Sequence, residues 1–373
     1  MNKGFDLEIK GVVYGVLGGV YLLLFFRNIL YKQLKLNFFI FYFLFLIYLL
    51  FLGVINENFS SYLFFDLLTF SSIIFIFLIG KEDKQSYFYK TLPRLGVWIN
   101  IISLSLALLY VLNYGLTTSS IKTGRGLNDL KGSLFSPKYL MYGSFFIYPL
   151  VVYVKNKTDK LIYLIGMVFF IAFSLFMGSR GTTVIGIVVM GITYYVESKI
   201  EGKKILKLGR LVLIFFGLIL FAVFSESNKI FSSIEYLLLR FESGKVGVHR
   251  NEEAFSVINS LTTSELFTGR GLGASNKYWI FSDLINGVNN VHYGSVFLLL
   301  KGGFFFLFMI YIKIISSLIK LWKHDVLKPY SIILITFIIT DFSHNNFNNF
   351  ANLIFMFVAL TATNLIKYES TSR

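Results

Sequence analysis

The distribution of charge along this chain constrains its fold more than any other feature. Apolar stretches alternate with short loops, and basic residues gather on every second loop. They are Arg27, Lys32 and Lys35; Lys81, Lys84, Lys90 and Arg94; Lys155, Lys157 and Lys160; Lys199, Lys203, Lys204, Lys207 and Arg210; Lys313, Lys320, Lys323 and Lys328; and, in the tail, Lys367 and Arg373. These segments hold most of the 35 Lys and Arg of the chain. Cations on alternate turns are what the positive-inside rule asks of a polytopic membrane protein, and the rule puts these loops in the cytoplasm.

The apolar stretches are long enough for that reading. Leu36–Ile55 runs about 20 residues without a charge, enough to cross a hydrocarbon core of roughly 30 Å. With 55% hydrophobic residues, 43 Phe and only 15% charged residues, a water-soluble domain of 373 residues could not cover its apolar surface. Lipid offers the backbone no hydrogen-bond partner, so the spans must be helical. The expected fold is therefore all-α: a polytopic transmembrane helix bundle of eleven spans (ten to twelve), with residues 1–373 forming one integral membrane domain. The spans read as 11–26, 36–55, 62–79, 95–113, 139–154, 161–177, 182–196, 211–225, 293–312, 330–341 and 351–366. Eleven crossings put the N-terminus outside and the C-terminus inside. The tenth is short and either extends through Pro329 or is a partial helix.

Several function classes fall away. The formal charge of +15 sits mainly at membrane edges, where orientation accounts for it, so nucleic acid is not an expected partner. The chain has no Cys, hence neither disulfides nor thiolate metal sites. The first apolar run lacks a small-residue cleavage site and does not read as a signal peptide. There is no Walker A sequence, no metal-spaced His/Asp cluster and no Gly-x-Ser-x-Gly elbow, so neither a nucleotide, a metal nor another cofactor is expected. Gly269-Arg270-Gly271-Leu272-Gly273 imitates a dinucleotide loop, but no parallel strand precedes it and no Rossmann unit follows.

The outer side holds Asn56–Ser61, a basic loop over 114–138, the Gly178–Gly181 turn, a long loop over 226–292, and Ser343–Asn349. Two of these carry cations where the topology disfavours them. The 114–138 loop contains Lys122, Arg125, Lys131 and Lys138, and the 226–292 loop contains Arg240, Arg250 and Arg270 with His249 and His292. Cations on the disfavoured side suit an anionic substrate. Within the long loop, Ile230, Phe231, Ile234, Leu237, Leu238 and Phe241 share a helical face, which predicts an interfacial helix over Ile230–Phe241.

Arg180 sits in the tight Met177-Gly178-Ser179-Arg180-Gly181 break between two spans. Lys301 falls inside the ninth span, where a charged residue is costly and by default suggests a site, although a Lys can also snorkel. Arg presents a permanently charged fork that matches phosphate oxygens, and His titrates near neutral pH and can act as a base toward a hydroxyl. Each of these residues alone has a plainer reading. A lone outer-loop Arg usually meets a lipid headgroup, His249, His324 and His344 read as solvated or capping residues, and Asp66 and Asp341 read as structural partners of an Arg.

At these residues the chain resembles the O-antigen ligase/polymerase superfamily of bacterial envelope glycosyltransferases. Met177–Gly181 followed by an apolar span is similar to the family's Ser-Arg-Gly segment. Arg250, about twenty residues before Gly269-Arg270-Gly271-Leu272-Gly273, resembles the family's Arg followed by a Gly-x-Gly turn in the large outer loop. His292 and the Leu298-Leu299-Leu300-Lys301-Gly302-Gly303 run resemble the His-led start of the next span. Gly132-Ser133-Leu134-Phe135-Ser136-Pro137-Lys138 resembles a Gly…Pro-Asn segment that opens an earlier one. The resemblance covers about residues 130–310. The chain departs from the family pattern at Tyr293, where Asn is frequent, at Lys301, where an acidic residue is common, and at Lys138, in place of Asn.

The resemblance implies a metal-independent polymerase in the bacterial inner membrane, with its site facing the periplasm. Donor and acceptor would be glycans on undecaprenyl pyrophosphate, and a chain-length regulator would be a further partner beside membrane lipid. Arg180, Arg250 and Arg270 would hold the donor pyrophosphate, and His292 would activate the acceptor hydroxyl. Arg240, Lys301, Lys138 and Arg125 would lie near the anionic carrier or glycan. The alternatives are a ligase that moves finished glycan to lipid A-core or protein, a flippase or transporter of lipid-linked sugars, and a non-enzymatic membrane scaffold.

Overall fold

A computed structural model describes residues 36–58, 60–73, 84–114, 137–176, 180–200, 248–276, 291–342, 345–348 and 350–366. Among these residues the chain is helical and has no strand, so the fold is all-α. The elements are α1 (Leu36–Ile55), α2 (Ser60–Ile73), α3 (Lys84–Tyr114), α4 (Pro137–Ile147) with a 3-10 extension Tyr148–Tyr153, α5 (Lys157–Phe176) and α6 (Arg180–Ile200). They continue with α7 (Val248–Ser260), α8 (Thr263–Thr268), α9 (Gly294–Trp322), α10 (Lys328–Asp341) and α11 (Phe350–Thr361), the last followed by the 3-10 turn Ala362–Leu365. Two stretches, Gly181–Ile200 within α6 and Gly294–Trp322, are long and apolar enough to cross a membrane by length and composition alone.

The expected spans at 11–26 and 211–225, and the interfacial helix at Ile230–Phe241, lie outside the described residues. The tenth expected span corresponds to α10, which begins at Lys328 with Pro329 in its first turn, where a missing N–H has no consequence. At 14 residues α10 remains only about 21 Å long.

The chain divides into two compact units. One comprises residues 1–85, 248–321 and 337–373, and the other residues 86–247 and 322–336. In the second unit small residues set the helix spacing. A Cβ at Gly96 of α3 would collide with the Tyr163 hydroxyl of α5, and one at Gly166 would meet the Asn100 amide. The Tyr163 hydroxyl donates to the Pro93 carbonyl at 2.8 Å, inside α3. α5 and α6 are tied by a 2.7 Å bond between the Ser174 and Thr183 hydroxyls.

The first unit is organised around an interruption of α9. Gly303 has φ 65° and ψ −168°, a conformation open only to glycine, and it divides the element into a short arm (294–302) and a long arm (304–322). The two arms fold back on each other. A straight helix would hold Gly294 and Tyr311 about 25 Å apart, yet the Asp341 carboxylate accepts from both the Ser295 backbone N–H and the Tyr311 hydroxyl. The ninth span, expected as one continuous helix over 293–312, is thus corrected to a helical hairpin whose turn is Gly302-Gly303.

The long arm exposes Phe305, Phe308, Ile312, Ile315 and Ile319 and buries Phe306, Ile310, Ile314 and Leu321, so both of its faces are apolar. α1 behaves alike, exposing Phe43, Leu44, Ile47, Phe51 and Val54 while burying Tyr42, Leu46 and Leu49. An apolar outer face over a core that holds Asp66, Lys301 and Asp341 suits a lipid environment.

Candidate functional site: a His–Glu dyad beside a glycine clasp

The glycine run that imitates a nucleotide loop is a clasp. Breaking α9 at Gly303 leaves carbonyls in the preceding turn available, and Leu300 O and Lys301 O accept from the N–H groups of Arg270 and Gly271, each at 2.9 Å. On the other side Leu272 N–H donates to Leu49 O of α1 at 3.0 Å. The Asn58 amide donates to Arg270 O and Leu272 O at 2.9 and 2.8 Å, and the Asn56 amide to Arg270 O at 3.0 Å. Gly269, Gly271 and Gly273 have φ of 73°, 84° and 78°. A Cβ on any of them would run into the backbone of α9, α1 or α2, respectively. The Gly-x-Gly-x-Gly spacing therefore meets a packing need, with glycine wherever two backbones touch.

Lys301 lies under this clasp. Its ammonium sits 2.6 Å from Asp66 Oδ2 of α2 and also donates to Ala274 O. Asp66 Oδ2 in turn accepts from Gly273 N–H at 2.7 Å. Neither side chain reaches solvent, at 0% and 2% exposure, and the Phe297 ring centroid is 5.0 Å from the ammonium. The substrate-facing place expected for Lys301 is thus corrected: its ammonium holds the clasp to α2. Asp66, expected to pair with an Arg, pairs with Lys301.

Arg270 is turned inward as well. Its Nε donates to Glu265 Oε1 at 3.0 Å and its Nη2 to Glu265 Oε2 at 3.3 Å and to the Ser260 carbonyl. Glu265 also closes a capping box with Thr262 at the start of α8. Partial burial raises the Glu265 carboxyl, but the hydrogen bonds from Arg270 and Thr262 outweigh it and hold the group below the ordinary carboxylate range. The Arg270 fork expected on a pyrophosphate therefore grips a carboxylate of its own loop.

His292 has the opposite character. Its ring is half-exposed, at 49%, while its partner Glu253, on α7, is 4% exposed. Glu253 Oε2 lies 2.7 Å from His292 Nδ1 and accepts the His292 backbone N–H at 3.1 Å. A carboxylate only accepts, so Nδ1 carries the proton, and in the neutral ring Nε2 is the lone-pair nitrogen. The next residue reinforces the contact, since the Tyr293 hydroxyl donates to Asn251 Oδ1 of α7 at 2.7 Å. Arg250, half-buried, lies one turn before Glu253 on the same helix.

Behind this dyad is a polar knot. Tyr293 O accepts from Phe297 N–H at 2.9 Å and so opens the short arm of α9. Asp341, expected to face an Arg, instead binds the Ser295 N–H, the Tyr311 hydroxyl and, at 3.1 Å, the Asn346 N–H. The Asn346 amide bonds to Phe337 O at 2.7 Å and accepts from Asn352 of α11 at 2.8 Å.

Of the other expected site residues, Arg180 opens α6 and Lys138 lies in the first turn of α4, both in the second unit, and their side chains are outside the described residues, as are Arg125, Arg240 and His344. Glu253 has no distinctive signal in the sequence. Only its i+3 spacing from Arg250, on a short helix of alternating character, sets it apart from Glu252. Compared with protein-family models, with curated proteins and with solved structures, the chain matches none.

Proposed function

We propose that this chain is a metal-independent membrane glycosyltransferase that polymerises undecaprenyl-pyrophosphate-linked oligosaccharide repeat units into O-antigen or capsular polysaccharide at the outer face of the bacterial inner membrane. Its polytopic architecture is that of an eleven-span bundle, with the long arm of α9 as the ninth crossing. The order of the Arg180, Arg250, glycine-run and His292 motifs supports the family reading. The apolar outward faces of α1 and α9 support the membrane.

The observation that carries the reading is the His292–Glu253 dyad. A buried carboxylate that fixes Nδ1–H leaves Nε2 to take a proton and stabilises the imidazolium that forms. In the reaction, Nε2 accepts the proton of a sugar hydroxyl on the acceptor repeat unit. The acceptor oxygen bonds to the anomeric carbon of the donor, and the bond from that carbon to the pyrophosphate oxygen breaks. Arg250, one turn from Glu253, and Arg180, by resemblance, supply positive charge for the departing pyrophosphate. Arg270 and Lys301 act at one remove, holding the loop and the hairpin.

One observation favours a second reading, transport of a lipid-linked sugar: α9 is interrupted at paired glycines, as discontinuous helices are in transporters. Reconstitution separates the two. Purified protein given lipid-pyrophosphate-linked repeat units, without nucleotide sugar or ATP, yields a ladder of longer glycans if it polymerises them. It yields only redistribution across the bilayer if it transports them.

A further inference from the structure

The geometry points to Asp341 as a positioning residue for His292, acting through the N-terminus of the short arm of α9; this rests on the transferase reading above. A helix start leaves backbone N–H groups without partners, and a Ser, Thr, Asp or Asn at the N-cap normally accepts from one of them. Here the N-cap is Tyr293, whose hydroxyl points to Asn251 instead. Asp341 supplies the missing acceptor from another helix, taking the Ser295 N–H. It lies so close that a Cβ on Gly294 would overlap its carboxylate, which explains the glycine there.

The same carboxylate takes the Tyr311 hydroxyl from the long arm and the Asn346 N–H from the turn before α11. One side chain thus pins the start of the short arm and Tyr311 of the long arm together, and the base is three residues from the pinned N–H. The backbone N–H and the ring of His292 both engage Glu253 Oε2, so the base keeps its place only if the chain at 292–295 is held at both ends. Glu253 holds one end and Asp341 the other.

The test exploits the absence of Cys from the chain. His292→Cys introduces a single thiol, and its alkylation by a membrane-impermeant maleimide reports where that position lies, independently of any activity. Asp341→Ala, Asp341→Asn and Tyr311→Phe are each combined with it, and Ser264→Cys, exposed on α8 of the expected outer loop, serves as the control. The expected result is a several-fold change in the rate at 292, largest for Asp341→Ala and smaller for Asp341→Asn, which retains an acceptor for the N–H groups, with the rate at 264 unchanged. Tyr311→Phe removes only a hydroxyl and carries the test if the carboxylate variants fail to fold.

In the chain with His292 intact, the same substitutions lower kcat by up to about 100-fold, the scale of a roughly 1 Å misplacement, and leave KM within a small factor. A changed thiol rate with no elongation even by the wild type supports the positioning and overturns the transferase reading. An unchanged thiol rate in folded variants, or unchanged kcat beside an active wild type, overturns the positioning.

Discussion

Lys301 and Asp66 form an ion pair at 2.6 Å that neither water nor lipid reaches. It joins the short arm of the α9 hairpin to α2 and fixes the glycine clasp through Ala274 O and Gly273 N–H. An intramembrane cation usually directs attention to substrate. Here its burial between Asp66, the Ala274 carbonyl and the Phe297 ring gives it a structural part.

Removing one member of this pair strands the other charge in an apolar interior. Lys301→Met and Asp66→Asn are each expected to destabilise the protein by about 3–5 kcal/mol. The double variant Lys301→Met/Asp66→Asn, which leaves no buried charge, loses less than the sum of the two. Unfolding of the four proteins in detergent, treated as a double-mutant cycle, measures this coupling.

Glycines of this chain divide by what an added methyl meets. Gly303→Ala and Gly269→Ala place a side chain at φ 65° and 73° against the backbone of a neighbouring segment. Each is expected to cost at least about 1–3 kcal/mol from backbone strain alone. Gly143 and Gly191 have nothing within 4 Å of the added Cβ, so alanine there is neutral or stabilises by about 0.5–1 kcal/mol. Melting temperatures of the four variants provide the comparison.

The Glu265–Arg270 contact predicts an acid-sensitive loop. The Glu265 carboxyl is held below its ordinary value in the folded protein. Its contribution to stability is thus complete above the unfolded-state pKa and is lost as pH falls through the folded one. Limited proteolysis over residues 261–276 accelerates as pH falls below the ordinary glutamate range. Arg270→Gln removes the main lowering partner and flattens that dependence.

Glu253→Gln keeps the size of the side chain but allows the amide to favour the other His292 tautomer. The expected loss in kcat is about 10²–10⁴-fold, by analogy with the carboxylate of a Ser-His-Asp triad, with KM little changed. Steady-state elongation by the variant tests it.

Much of the architecture was legible because the lipid-facing pattern is written in composition. The run Leu36–Ile55 coincides with α1, and α5 ends at Phe176 and α6 begins at Arg180, on either side of the expected break. The hairpin was not legible, because hydropathy continues through Val296–Ile310 and only the conformation of Gly303 reveals the turn. Lys301 stood out by its cost, but its partner did not. Asp66 is distant in sequence, and pairing requires knowing which turns of α2 and α9 meet. His292 stood out by its place at the head of an apolar run. Glu253 was hidden beside Glu252, since only the register of α7 against residues 291–293 decides which of two adjacent carboxylates is buried.

The most direct measurement is elongation of lipid-pyrophosphate-linked repeat units by the reconstituted wild type, His292→Ala and Glu253→Gln, with folding confirmed by thermal melts. The account predicts a glycan ladder from the wild type, none from His292→Ala and a greatly slowed one from Glu253→Gln. A wild-type ladder that persists undiminished in both folded variants would contradict it and detach the dyad from the chemistry.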